Sequence, residues 1–213
     1  MALYDVKPRF RAFLQGLVPF LEPVHPDWIT AAGLACSVLA AALFQMAGQR
    51  RWLFLVIPLL LLLRITLNAL DGMVAQATGK ARAFGEVLNE VTDRLSDVAI
   101  LLGLAVSPLS SLLWGTPAVV AVLLSSYVGV LGKAVGAGRQ YGGILGKADR
   151  MLYLGVACIA AFFLGNPTLF RARGLTLTLF DCLLAAFTLL ALLTAVQRVA
   201  AIHRALTPVR ARS

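Results

Sequence analysis

Six long, nearly uncharged runs alternate with short polar segments along this chain: residues 28–49, 52–70, 98–113, 117–132, 151–170 and 175–197. With their flanks, each reaches the length needed to cross about 30 Å of hydrocarbon, so the pattern predicts an all-α, polytopic membrane protein with six transmembrane helices. Trp28, Trp52 and Trp114 fall at predicted helix ends, where amphipathic rings favour the membrane boundary. Two runs carry one charge each, Arg64 and Asp181. The third helix is predicted to begin near Phe84, ahead of its apolar run, so that it takes Glu86, Glu90, Asp93, Arg94 and Asp97 into the membrane.

Ahead of these runs, Leu3, Val6, Phe10, Phe13, Leu14 and Leu17 recur at helical spacing, with Lys7, Arg9 and Arg11 between them. That pattern predicts a helix lying in the membrane interface. Pro19, Glu22 and Pro23 interrupt it and no small-residue cleavage site follows, so the segment is expected to stay in the mature protein rather than act as a signal peptide. Asp27 is the expected N-cap of the first span. A short basic turn near Lys80 joins the second and third spans as antiparallel neighbours. With no long linker and no repeat, the chain reads as one domain over 1–213: an interfacial segment to residue 26, a six-helix bundle over 27–200 and a basic tail over 201–213.

Composition agrees with the pattern: 60% of the 213 residues are hydrophobic and 14% charged, and the mean hydropathy is +0.85. With the N-terminus cytoplasmic, thirteen Lys and Arg fall on the inner side and four on the outer. That asymmetry predicts both termini in the cytoplasm, and it accounts for the net charge of +9 by topology and anionic lipid, not nucleic acid. Cys36, Cys158 and Cys182 lie in predicted spans without metal-ligand spacing and read as packing residues. His25 and His203 read as interfacial residues.

The exception to the apolar pattern lies between Asn68 and Asp97, which holds five of the ten carboxylates. Ionisable groups are costly within a bilayer, so such a cluster predicts a functional site whose charge something neutralises, and a metal is the expected partner. At 100° per residue, Glu86, Asn89, Glu90, Asp93 and Asp97 fall at about 0°, −60°, +40°, −20° and +20°, on one face. Asn68 and Asp71 share a face of the preceding helix. Around a turn centred on Lys80, Asp71 comes level with Asn89, and Asn68 with Thr92 and Asp93. Two facing helices thus converge oxygen donors, a set that hard cations such as Mg²⁺ or Mn²⁺ prefer. Gly72, Ala75 and Gly85 either let the helices approach closely or leave room for a ligand against the backbone.

These residues resemble the signature of the CDP-alcohol phosphotransferase family, D-x-x-D-G-x-x-A-R-x8-G-x-x-x-D-x-x-x-D. Here it reads Asn68-x-x-Asp71-Gly72-x-x-Ala75-Gln76-x8-Gly85-x-x-x-Asn89-x-x-x-Asp93, with matching spacing throughout. Pro26-Asp27-Trp28-Ile29-Thr30 looks like the family's first-span start. The resemblance implies two divalent cations held by Asp side chains against the pyrophosphate of a CDP-linked lipid. It makes Asp93 the base that accepts the alcohol's proton, puts Asn68, Asp71, Asn89 and Asp93 at the metals, and has Gly72, Ala75, Gln76 and Gly85 line the CDP pocket. It also implies a homodimeric enzyme of a bacterial-type inner membrane that transfers a phosphatidyl group from CDP-diacylglycerol to an alcohol acceptor. The same motif would serve an enzyme with donor and acceptor roles exchanged. Asn replaces two of the family's Asp, and Gln76 its Arg; an amide oxygen coordinates but brings no negative charge. Glu90 and Asp97, with Glu86 on the same face, are expected to restore that charge as metal ligands.

The segment 136–150, on the predicted cytoplasmic side, carries Arg139, Lys147 and Arg150. Tyr141 and Ala148 stand where a P-loop needs Gly and Ser or Thr, which excludes that motif. Its charge serves topology, or it clamps the phosphate of an acceptor. A cation transporter using intramembrane carboxylates would also explain the acids, but not the fixed Gly and Ala positions, and no inverted repeat supports it. A catalytically decayed lipid- or nucleotide-binding relative is the third reading, separated from the enzyme only by turnover.

Overall fold

The structure, a computed structural model, describes residues 2–172 and 175–207, with side chains over 12–171 and 176–207. Seven helices form among the described residues: α1 (Ala2–Leu21), α2 (Pro26–Ala47), α3 (Leu53–Ala77), α4 (Ala83–Ala105), α5 (Leu112–Ala134), α6 (Lys147–Leu164) and α7 (Leu179–Leu206). The architecture is that of an α-helical membrane protein. By length and apolarity, α2, α3, α5 and α7 are each able to cross a bilayer. α4 and α6 fall outside that set because α4 carries the acidic face and α6 opens on Lys147, Asp149 and Arg150.

Helices α2 to α7 close into a ring in which each touches two neighbours, in the order α2, α3, α6, α7, α5, α4 and back to α2. Its centre holds Phe44, Phe54, Ile57, Ile100, Leu104, Leu154, Phe180 and Phe187, all buried. Phe180 stacks on Phe54 at 6.0 Å between ring centroids and meets Phe44 edge-on at 6.3 Å, tying α7 to α2 and α3. Between helices in lipid, close packing replaces the hydrophobic drive. A Cβ built on Gly103 would lie 2.4 Å from the Ala41 Cβ, so the α2–α4 contact accepts no larger residue there. α1 packs Leu14 and Val18 against Ile29, Leu70 and Val74, while Phe13 and Phe20 remain exposed. The basic side chains expected on α1, and Arg210 and Arg212 of the expected tail, lie outside the described side chains and residues.

Two expectations change, at residues 151–170 and at Asp27, and Asp181 takes part in a capping box. The run 151–170 does not form one helix. α6 stops at Leu164, where Gly165 takes a φ of +75° and Pro167 withholds a donor, and Thr168–Ala172 (β1) pairs antiparallel with Leu175–Thr178 (β2). Alternating β-branched Thr168, Thr176 and Thr178 suit that hairpin better than a helix. Asp181, the lone acid of the last run, is a helix cap: its Oδ2 accepts from the Thr178 N–H at 2.9 Å, its own N–H donates to Thr178 Oγ1 at 3.2 Å, and its Oδ1 accepts from Ser110 Oγ at 2.6 Å. At α2 the N-cap is His25, whose Nδ1 accepts from the Asp27 N–H at 3.3 Å; Pro26 takes the first helical position, and Asp27 pairs instead with Arg82.

Candidate active site between two cavities

α3 and α4 are joined by the short turn over residues 78–82 but are not the packed neighbours expected of so short a connection: α2 lies between them in the ring, and only their polar side chains reach across to each other. Asp71 faces Asn89, whose Nδ2 donates to Asp71 Oδ1 at 3.2 Å. Asn68 Nδ2 donates to Asn89 Oδ1 at 2.6 Å and to Asp93 Oδ1 at 2.9 Å. α2 adds Thr30, whose hydroxyl donates to Asp71 Oδ2 at 2.7 Å, and the Gly72 N–H donates to Asp71 Oδ1 at 2.6 Å. From α6, Lys147 Nζ donates to both Asn68 Oδ1 and Asp93 Oδ1. Four of the six expected metal-site residues, Asn68, Asp71, Asn89 and Asp93, therefore form one connected cluster.

Glu90 and Asp97, expected as further metal ligands, face basic side chains in this structure. Asp97, 1% exposed, accepts from Arg64 Nη2 at 3.1 Å through Oδ1 and from Arg150 Nη2 at 2.6 Å through Oδ2. Two guanidinium groups hold its two oxygens. Glu90 pairs with Arg94 and Arg139, and Glu86 with Lys133 at 2.5 Å and Arg139 at 3.8 Å. Lys and Arg of α3, α4, α5, α6 and the segment before α6 thus answer most of the acidic face. Arg150, expected at a phosphate clamp, is 2% exposed and serves Asp97.

The cluster separates two cavities. The first, about 480 Å³, is lined by Asp71 and Asn89 together with Gly72, Ala75, Gln76 and Gly85, and by Thr30, Lys80, Arg82 and Glu86. A Cβ built on Gly72 would meet nothing within 4 Å, and one on Gly85 would meet only the neighbouring Arg82 side chain. These two glycines therefore face open space and not a neighbouring helix. The second cavity, about 110 Å³, is lined by Asp93, Lys147, Arg139 and Arg150, with Ser126, Gln140 and Arg198. Asn68 bridges the two, since its amide reaches Asn89 on one side and Asp93 on the other.

As a cation site, the cluster offers only oxygen donors, two carboxylates and two amide carbonyls, which fits a hard divalent ion in chemistry. Among the described residues no three His, Cys, Asp or Glu side chains gather, because two of the four positions are Asn. Three contributors had gone unassigned. Arg64 lies four residues before Asn68 and seven before Asp71, hence on their face, and besides Asp97 its Nη2 reaches the Asp93 carbonyl oxygen at 3.2 Å. Thr30 ends the Pro26–Thr30 stretch. Arg198 shares a face of α7 with Thr194 and Gln197, and this face straps down the segment before α6. Arg198 donates to the Ser125 and Gly142 carbonyls at 2.6 and 2.9 Å, Thr194 Oγ1 accepts from the Leu145 N–H at 3.0 Å, and Gln197 Oε1 accepts from the Ile144 N–H at 3.2 Å.

The chain is similar to inner membrane protein YnbA of Escherichia coli, 35% identical over 158 residues that cover 73% of this chain and 78% of YnbA. It is also similar to phosphatidylinositol phosphate synthase of Cutibacterium acnes, 30% identical over 188 residues, covering 85% of this chain and 87% of that enzyme. In fold it resembles the crystal structure of Mycobacterium tuberculosis phosphatidylinositol phosphate synthase with CDP-DAG bound, at a TM-score of 0.68 and 22% identity over 93% of this chain and 97% of that one. The same enzyme, in complex with manganese and citrate, matches at a TM-score of 0.68 and 22% identity, over 93% of this chain and 92% of that one. No family model matches the chain.

Proposed function

The chain belongs to the CDP-alcohol phosphotransferase family, and from that premise we propose that it transfers a phosphatidyl group from CDP-diacylglycerol to an alcohol hydroxyl, releasing CMP. The observation that carries this reading is the pair of cavities meeting at the Asp71–Asn89–Asn68–Asp93 cluster. The first cavity has the open glycine wall that a nucleotide needs, and the second has a basic lining suited to a phosphorylated alcohol. Relatives named for phosphatidylinositol phosphate and archaetidylinositol phosphate synthesis support that acceptor class.

In this reading Gly72, Ala75, Gln76 and Gly85 receive the CDP moiety. Asp71, Asn89, Asn68 and Asp93 would hold Mg²⁺ or Mn²⁺, which supplies charge against the pyrophosphate when bound. Asp93, at the join of the cavities, takes the acceptor's hydroxyl proton as that oxygen bonds to the phosphorus carrying diacylglycerol. The bond from this phosphorus to the bridging oxygen breaks, and CMP leaves with the electron pair. Arg139 and Lys147 orient the acceptor's phosphate, and Arg150 fixes Asp97 beneath them. The whole chain would act as one domain, with α2 to α7 all crossing a cell's inner membrane, both termini cytoplasmic and two copies paired; a relative described as an inner membrane protein supports that location.

Purified protein given CDP-diacylglycerol, Mg²⁺ or Mn²⁺ and a panel of alcohols (inositol phosphate, glycerol phosphate, inositol, serine) should release CMP with one acceptor. Asp93→Asn should slow that release by about 10²- to 10⁴-fold, the usual worth of a positioned general base. Silence across the panel in folded protein would overturn the transferase and leave a binding relative.

A further inference from the structure

We infer that the centre takes one divalent cation, at Asp71 and Asn89, and that the ammonium of Lys147 supplies the second positive charge, over Asp93. The inference rests on the phosphatidyl-transfer reading and concerns how its charge is balanced. Of the acids at residues 71–97, four already face a base: Glu86 faces Lys133, Glu90 faces Arg94 and Arg139, Asp93 faces Lys147, and Asp97 faces Arg64 and Arg150. Asp71 has no Lys or Arg nitrogen within 4 Å among the described residues; its donors are the Thr30 hydroxyl, the Gly72 N–H and the Asn89 amide, all neutral. Its negative charge is the one left for a cation to answer, and it lines the larger cavity.

The opposite holds at Asp93. Lys147 Nζ is bonded to Asp93 Oδ1 and Asn68 Oδ1, the oxygens a second ion would need. A second divalent ion at Asp93 and Asn68 would compete with this ammonium for the same oxygens, and like charges at such separations repel strongly in a partly desolvated site. The two asparagines agree with the lower count, because each keeps an oxygen donor in place without adding negative charge.

Lys147 is also fixed by its surroundings. It is the first residue of α6, whose start is set by the Gly146 N–H donating to Asp149 Oδ2 at 2.8 Å. The two residues before Gly146 are tied to α7 by the Leu145 and Ile144 N–H bonds to Thr194 and Gln197. A lysine that only gathered acceptor from solution would not need anchoring into the Asn68–Asp93 pair.

Full-length protein in detergent, saturated with Mn²⁺ and CDP-diacylglycerol, should bind one Mn²⁺ per chain and give an uncoupled electron paramagnetic resonance spectrum. Asn68→Asp/Asn89→Asp/Lys147→Met together should raise the count to two, with the spin coupling expected of ions about 3.5–4 Å apart. Lys147→Met alone should lower kcat at saturating acceptor, whereas a mere phosphate clamp would raise only the acceptor's KM. Two Mn²⁺ in the unmodified protein, or none, would overturn the inference, and wild-type stoichiometry decides this even if the variants fail to fold. One bound Mn²⁺ without CMP release would instead uphold the count and overturn the transferase.

Discussion

Asp71 and Asp97 are both buried carboxylates, 3% and 1% exposed, on facing helices of the same bundle, and their surroundings are opposite in kind. Asp97 gives both oxygens to guanidinium groups. Asp71 gives both to neutral donors. Burial by itself therefore does not mark the reactive acid of this protein. A carboxylate held by neutral donors keeps a negative charge to offer an incoming cation, whereas one clasped by two arginines is part of the scaffold. Asn89, Asn68 and Asp93 span the interval between them, passing from the proposed cation site at Asp71 to the arginine-clasped end at Asp97.

Replacing the acid at the structural end should have the larger effect on folding. Asp97→Asn leaves Arg150 buried without its counter-charge and Arg64 with only Asp93, 3.9 Å away, and breaking such a buried pair costs about 3–5 kcal/mol. Thermal unfolding in detergent, followed by tryptophan fluorescence, should show that loss, and saturating Mn²⁺ should not restore it. Intact stability with loss of Mn²⁺ binding would make Asp97 a ligand and dissolve the contrast. Thr30→Ala tests the other end. It strips from Asp71 Oδ2 the only donor it has among the described residues, at about 1–3 kcal/mol for a buried group left unsatisfied. Here Mn²⁺ should recover part of the loss, because a cation answers the same oxygen. If Mn²⁺ rescues both variants equally, the two acids do not differ in the way proposed.

Much of this contrast was hidden in the sequence for a definite reason. The meeting of Asn68 and Asp71 with Asn89 and Asp93 was legible because 3.6-residue periodicity puts Asn89 and Asp93 on one face and the turn at residues 78–82 sets their level with Asp71 and Asn68; that α2 would lie between the two helices was not. Which base answers which acid was not, because Lys147 and Arg150 lie 54 and 53 residues from their partners Asp93 and Asp97, and only the packing of α6 on α3 brings them in. Arg64 stood out as a charge in an apolar run, yet nothing local pointed to Asp97. The strands β1 and β2 were absorbed into the end of one apolar run and the start of the next, where periodicity cannot tell strand from helix and only the threonines and Gly165 signalled the break. The glycines were legible as small but not as open, since that depends on what faces them across the cavity.

Gly72 offers the gentlest probe of the Asp71 end, and its value lies in two effects of opposite sign. Alanine in a helix interior is favoured over glycine by about 0.5–1 kcal/mol, and at Gly72 the added methyl meets no neighbour, so Gly72→Ala should unfold at the same or a slightly higher temperature. The same methyl projects into the cavity beside Asp71. If that cavity receives the nucleotide, the crowding should raise the KM for CDP-diacylglycerol about fivefold, roughly 1 kcal/mol, with KM for the alcohol unchanged because Asp93 and Lys147 line a different cavity. A variant that lost stability would show that Gly72 is there for helix packing. One with unchanged KM for the lipid would move the nucleotide out of the first cavity, and Asp71 would then need another explanation for its lack of a cationic partner.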